Sequence, residues 1–318
     1  MKRQLISVVV PVYFNAESLP RLAERLRAIA ATADFDLEAI FVDDGSGDDS
    51  WGRIEEITRS WPAARGLRLT RNFGSQMAIA AGLRDAGGDA AAVLSADLQE
   101  PPELLPEMVA AWRRGAITVL AVRKSRPEGW TTRAAAGMYY RALRHLAFSQ
   151  MPASGFDCFL IGRDAIDFLA DSREIHTSLP GLLLWAGFPA ALVPYDRVAR
   201  AHGESRWTLA KKLKYFIDAI ISFSYAPLRW MSVAGAGLAL LAFAYAVFLI
   251  VYKLLNGQPI QGWTSLMVAV AFFSGVQLVC FGILGEYLWR TLDAARSRRG
   301  FLVRGRTSPP LPAGERRD

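Results

Sequence analysis

The sequence predicts an α/β fold, a doubly wound and mainly parallel sheet followed by a two-helix transmembrane hairpin. Three observations predict it. Apolar runs of strand length alternate with helix-period patterns up to about residue 125, the alternation that builds parallel sheets. Polar clusters stand directly after those runs, where open α/β sheets receive ligands. Hydrophobic residues, 52% of the 318, concentrate after about residue 230 in two stretches long enough to cross a bilayer.

Taken in order, Leu5–Val12 is rich in Val and Ile and bounded by Pro11 and Asn15. Its apolar run is too short for a signal peptide and no small-residue cleavage site follows, so it reads as a first strand. Leu19, Leu22, Leu26 and Ile29 recur on one helical face. Ala39–Val42 is a second strand, ended by an Asp-Asp-Gly-Ser turn. Gly66–Thr70 is a third, with a small-residue helix through Met77–Leu83 after it. Ala91–Leu94 is a fourth, then a helix over Glu103–Trp112 opened by Pro101-Pro102, since proline suits a first turn. Ile117–Val122 is a fifth. The clusters that follow these strands are Asn15/Glu17, Asp43/Asp44, Arg71/Asn72, Asp97/Gln99 and Arg123/Arg126.

Met231–Tyr252 carries no charge, and Thr264–Leu284 is as apolar apart from Gln277. Both are hydrophobic all round, unlike the amphipathic helices of a soluble core. Arg206, Lys211, Lys212 and Lys214 precede the pair, and Arg290, Arg296, Arg298, Arg299, Arg304 and Arg306 follow it. That charge bias predicts a multi-pass protein of the cytoplasmic (inner) membrane with both termini in the cytoplasm. Trp207–Tyr225 mixes lysines with Leu213, Phe216, Ile217, Ile220 and Ile221, the pattern of a helix lying in the membrane interface. The Pro-rich tail after Arg304 reads as disordered.

Composition removes several function classes. Two cysteines and three histidines supply neither a disulfide framework nor a His/Cys zinc site. The net charge of +7 fits phosphorylated or membrane partners. Because much of that excess flanks the apolar stretches, membrane phosphate is the expectation and nucleic acid is not. No GxGxxG follows the first strand and no GxxxxGK[ST] occurs, which argues against a dinucleotide dehydrogenase and a P-loop ATPase. Processive polysaccharide synthases carry QxxRW. Here Arg229-Trp230 and Arg206-Trp207 have Ala226 and Gly203 in the glutamine position.

Ser95–Glu100 follows an apolar strand and sets Asp97 and Gln99 two apart. In an extended turn both side chains share one side, presenting oxygens suited to a divalent cation. By local logic Asp97 is equally a helix cap. Asp43 and Asp44 are either turn formers or acceptors for a base and ribose.

VVVPVYFNAE (Val8–Glu17), VDDGSGDDS (Val42–Ser50), RNFGSQMAIAAGL (Arg71–Leu83), ADLQEPPE (Ala96–Glu103) and FGILGEYLWR (Phe281–Arg290) occur in that order. Together they resemble the family 2 glycosyltransferases that make polyprenyl-phosphate sugars, dolichyl-phosphate mannose synthases and bactoprenol glycosyltransferases among them. The resemblance runs to about Arg304. It implies a GT-A fold with Pro11, Tyr13, Glu17, Asp43, Asp44, Ser95 and Ala96 at the nucleotide, and Asp97 and Gln99 on Mg²⁺ or Mn²⁺. It implies substrate-phosphate contacts for Arg123, Arg126, Arg200, Ser205 and Arg206, and an acceptor-side, catalytic role for Asp157 beside the catalytic Asp97. The implied layout is a cytoplasmic GT-A domain over 1–205, interfacial helices over 206–229, two transmembrane helices over 230–289 and a basic, partly disordered tail over 290–318. The implied reaction is inverting, metal-dependent transfer from a nucleotide diphosphate sugar, UDP-sugar favoured, to a polyprenyl phosphate, by a homo-oligomer. Two departures stand out. Ser95 replaces the first carboxylate of the usual Asp-X-Asp, which predicts weaker metal binding and keeps a non-catalytic, lipid-carrier-binding relative as the alternative. Phe159 stands where an arginine is common.

Overall fold

The computed structural model describes residues 3–124, 137–138, 141, 144, 148, 150–152, 155–156, 158–172, 178–196, 218, 221–256, 262–296 and 298–307. The chain divides into two compact units, Met1–Ala219 with Arg298–Asp318, and Ile220–Ser297.

In the first unit the strands are β1 (Leu5–Val12), β2 (Asp36–Asp43), β3 (Ala64–Leu69), β4 (Ala90–Val93), β5 (Thr118–Arg123), β6 (Cys158–Gly162), β7 (Ala190–Tyr195) and β8 (Val303–Arg306). The helices are α1 (Leu19–Thr32), α2 (Ser50–Ser60), α3 (Ser75–Asp85), α4 (Leu105–Arg113) after one 3₁₀ turn at Pro102–Leu104, α5 (Arg163–Asp171) and α6 (Leu179–Ala186). Among the described residues they build one sheet of eight strands, ordered β7-β5-β6-β4-β1-β2-β3-β8. The pairs β1–β2, β1–β4, β2–β3 and β5–β7 are parallel. The pairs β4–β6, β5–β6 and β3–β8 are antiparallel.

β1 and β2 are buried on both faces over nearly their whole length, which is why they read as unbroken apolar runs rather than alternations. α1 turns Leu19, Leu22, Ala23, Leu26 and Ile29 inward, the predicted stripe. The small-residue character of α3 has a packing cause. A Cβ on its Gly82 would lie 2.3 Å from Val9 Cγ1 and 3.1 Å from Val42 Cγ2, so this helix rests directly on β1 and β2.

In the second unit, α7 (Ala226–Asn256) and α8 (Trp263–Arg296) follow. Ala226–Leu255 and Ser265–Arg296 each contain an 18-residue stretch, of mean hydropathy 2.4 and 2.2 respectively, and are long and apolar enough to cross a membrane. At ~1.5 Å per residue each exceeds the ~30 Å hydrocarbon layer. Tyr287 OH donates to the Ser224 carbonyl (3.0 Å), and Arg290 donates to Ser222 Oγ (3.0 Å) and Glu286 Oε1 (2.9 Å). These bonds tie the end of α8 to the residues just before α7, so the two helices form an antiparallel hairpin.

Two boundaries differ from the sequence reading. α7 begins at Ala226 and α8 runs on to Arg296, so the helical region extends beyond 230–289 on both sides. The chain after it is not simply a tail, because Val303–Arg306 pairs with β3 and Thr307 Oγ1 accepts from Gly66 N at 2.8 Å. A four-residue edge strand that alternates half-buried and exposed residues carries too little apolar pattern to be read locally. Of the segment over 206–229 expected to lie in the membrane interface, residues 206–217, 219 and 220 lie outside the described residues, as does the Pro-rich stretch from Ser308.

Candidate active site

The strand order reverses at β1, with β2 and β3 on one side and β4 on the other. Such a switch point leaves a crevice beyond the carboxyl ends of the strands. Register places the chemistry there. Val12 pairs with Asp43 and Val9 with Val93, so the segments after β1, β2 and β4 leave the sheet along one edge. β6 runs antiparallel, which brings its first residue, Cys158, to that edge opposite Ala121. Cys158 is fully buried, as expected for a small core residue. Arg123, half-buried, ends β5 at the same edge. Asp157, Arg126, Arg200, Ser205 and Arg206 lie outside the described residues.

The β1 exit is bound to the β2 exit through successive backbone N–H groups. Phe14 N donates to Ser46 Oγ (3.1 Å), Asn15 N to Ser50 Oγ (2.9 Å) and Ala16 N to Asp48 Oδ2 (3.2 Å). Tyr13 N donates to Asn15 Oδ1 at 3.0 Å. Glu17 is exposed at the end of this loop, while Pro11 is half-buried within β1.

Asp43 and Asp44 are 0% and 2% exposed, and both take structural partners. Asp43 Oδ1 accepts from Ser46 N (2.9 Å), and Arg68 Nε lies 3.4 Å from Oδ2. Asp44 accepts from Phe73 N (2.7 Å) on one oxygen and Gly74 N (2.9 Å) on the other. Burial, opposed by those two bonds and reinforced by the neighbouring Asp43 charge, pushes the Asp44 carboxyl above its ordinary range. Gly45 sits between the two loops at φ +70°, and a Cβ there would be 2.6 Å from the Arg71 carbonyl carbon. The turn after β2 therefore grips the loop after β3.

At the β4 exit, Asp97 Oδ1 accepts from Ser95 Oγ at 2.7 Å and from Gln99 N at 3.2 Å. The segment is not extended as expected. Leu98 has φ +58° and is buried, which curls the chain so that the Gln99 amide reaches back to the carboxylate. Simple two-residue alternation therefore does not describe Asp97 and Gln99. Asp97 remains partly exposed, whereas the side chains of Ala96 and Gln99 are buried. Ser95 supplies a hydroxyl donor to the neighbouring carboxylate where a second carboxylate would repel it. Phe14 is a residue that sequence reasoning misses. Its only local signal is an extra aromatic side chain next to Tyr13.

Residues 7–169 match the family described as glycosyl transferase family 2. Among curated proteins, the uncharacterized glycosyltransferase YkcC of Bacillus subtilis is 36% identical over 298 residues, covering 93% of this chain and 92% of that protein. The uncharacterized glycosyltransferase sll0501 of Synechocystis is 34% identical over 94% of each chain. The bactoprenol glucosyl transferase of Shigella phage SfII is 32% identical over 94% of this chain and 97% of its own.

Proposed function

The chain belongs to glycosyl transferase family 2, and from that premise we propose that it carries one sugar from a nucleoside diphosphate to a polyprenyl phosphate at a membrane surface. As a glycosyltransferase it needs a site for a diphosphate leaving group. The observation that carries this reading is Asp97: a partly exposed carboxylate at the β4 exit, held by Ser95 Oγ and Gln99 N, at the switch point where strand order reverses. The lipid acceptor is supported by relatives named bactoprenol glucosyl transferase and by the two apolar helices.

A divalent cation is part of the proposal. Among the described residues no group of three His, Cys, Asp or Glu stands ready for one. The fit is that of an ion held by one carboxylate plus substrate phosphates and water, a common arrangement for Mg²⁺. Asp97 would hold it. The Gln99 amide N–H fixes the carboxylate's orientation. When bound, Mg²⁺ or Mn²⁺ supplies positive charge to the departing diphosphate.

The protein's own part is positioning. Tyr13 at the β1 exit, with the turn carrying Asp43 and Asp44, borders the place for a nucleoside, UDP favoured. The acceptor is a phosphate monoester whose second pKa is about 6. It is already a dianion at neutral pH, so a strong general base is unnecessary. Asp157 would orient it, and Arg123 with Arg126, Arg200, Ser205 and Arg206 would balance phosphate charge. One in-line displacement inverts the anomeric centre.

The β3–β8 pairing supports both chain ends on one side of the membrane, since residues before α7 and after α8 complete the same sheet. On this reading the hairpin crosses twice, and the basic flanks support an open end that faces the cytoplasm.

Transfer of labelled sugar from UDP-glucose and other nucleotide sugars to undecaprenyl phosphate, with and without Mn²⁺, tests the reading. Metal-dependent product that disappears in Asp97→Asn is the expected result. Full transfer by that variant would remove Asp97 from the chemistry, and no transfer from any donor by folded protein would favour the carrier-binding alternative.

A further inference from the structure

At the carboxyl end of β1 two aromatic side chains stand in the open, Tyr13 at 38% and Phe14 at 41% exposure. Their rings meet edge-to-face, 4.7 Å apart at 82°. Phe14 holds this pose at a cost. Its φ is +58°, a left-handed conformation that a bulky side chain resists. Such strain persists only where surrounding contacts over-determine it.

The surroundings do over-determine it. The N–H groups of residues 13 through 16 are each taken by a side chain, three of them from the turn after β2. The Phe14 ring lies over that same turn. A Cβ added at Gly47 would come within 3.3 Å of Phe14 Cζ, so glycine leaves the space the ring uses. An apolar core does not explain the arrangement, because both rings remain exposed. What the loop secures is a rigid aromatic corner at the edge where Asp44 and Asp97 also emerge.

We propose that Phe14 is a positioning residue for the donor's nucleobase: seated on Gly47, it fixes the Tyr13 ring edge-on, so that a flat heterocycle meets an immobile partner. This inference rests on the nucleoside diphosphate donor proposed above. Phe14 acts through Tyr13 and touches no reacting atom. Its loss therefore weakens donor binding and leaves the chemical step alone.

Titration calorimetry of the full chain in detergent with Mn²⁺ provides the test, using UDP, GDP and inorganic pyrophosphate against wild type, Phe14→Gly and Phe14→Leu. Glycine accepts the positive φ freely, and leucine keeps apolar cover over Gly47 should glycine loosen the loop. Both variants are expected to weaken the preferred nucleoside diphosphate roughly three- to tenfold, the range an edge-to-face aromatic pair contributes. Pyrophosphate, which has no base, should bind unchanged. In transfer assays KM for the donor rises by the same factor with kcat preserved, and Phe14→Tyr restores it. Unchanged nucleoside diphosphate affinity in both variants, or an equal loss for pyrophosphate, overturns the proposal. Wild type that binds pyrophosphate but neither UDP nor GDP overturns the donor reading, and this inference with it.

Discussion

Replacing Gly45 by alanine tests whether the turn after β2 and the loop after β3 form one unit. Gly45 has φ +70°, and its Cβ would lie 2.6 Å from the Arg71 carbonyl carbon, 2.8 Å from Asn72 N and 2.9 Å from Arg71 Cα. All three are backbone atoms that cannot rotate away. An L-residue in this conformation costs roughly 1–2 kcal/mol, and forcing a methyl into filled space costs roughly 1–3 kcal/mol more. Gly45→Ala should therefore destabilise the protein by about 2–5 kcal/mol, or push the loops apart and break the Asp44 bonds to Phe73 and Gly74. Gly187 is the control. It caps α6 at φ +71°, and a Cβ added there would meet nothing within 4 Å, so Gly187→Ala carries the backbone cost alone. Urea unfolding of both variants in detergent, followed by tryptophan fluorescence, measures the difference, and UDP titration reports the crevice. If the two substitutions cost the same and Gly45→Ala binds UDP as wild type does, the loops are not coupled through this contact.

Asp97→Ala should reduce transfer at least a hundredfold while leaving the unfolding midpoint within a few degrees, since the carboxylate is partly exposed at the end of the sheet; the paired readout is product formation and thermal unfolding. Asp44 has a carboxyl pKa raised by burial, so the folded state holds its proton to higher pH than the unfolded chain, whose value is about 3.9. Stability of wild type relative to Asp44→Asn should thus be greatest below that value, decline as pH rises through the raised pKa and level off above it; a flat difference across acidic pH counts against the burial argument. Thr307→Val removes the 2.8 Å bond from Gly66 N, with an expected loss of about 1 kcal/mol. Arg306→Ala, which breaks the pair with Asp85, should add less than about 1 kcal/mol because that arginine is part-exposed; urea midpoints for both variants decide.

Much of the fold is legible along the chain. β1 through β5, α1, α3 and α4 appear within a few residues of where the periodicities put them, because each buries a contiguous run or a single stripe. β7 is not legible, since half its residues face solvent and a proline, Pro194, sits within it, which argues against a strand when read locally. β8 is a four-residue edge whose partner lies more than 230 positions earlier. At the site, Asp97 is legible from its place after β4, but the left-handed Leu98 and the Ser95 hydroxyl on its carboxylate are not. Phe14 gives no sign of its strain, because a positive φ at a non-glycine is imposed by neighbours and has no signature in composition.

The local elements, the two stretches able to cross a bilayer and the kinds of side chain offered at each strand end are all written along the chain. Periodicity and hydropathy are sums over neighbours along the chain, and those sums survive without knowing who packs on whom. Tertiary structure alone decided the strand order around β1, the return of Val303–Arg306 to the β3 edge and the commitment of both Asp44 oxygens to Phe73 and Gly74. Those choices join residues about 30 to more than 200 positions apart. They are made where backbone hydrogen bonds and buried area are satisfied together, a condition that no window of sequence contains.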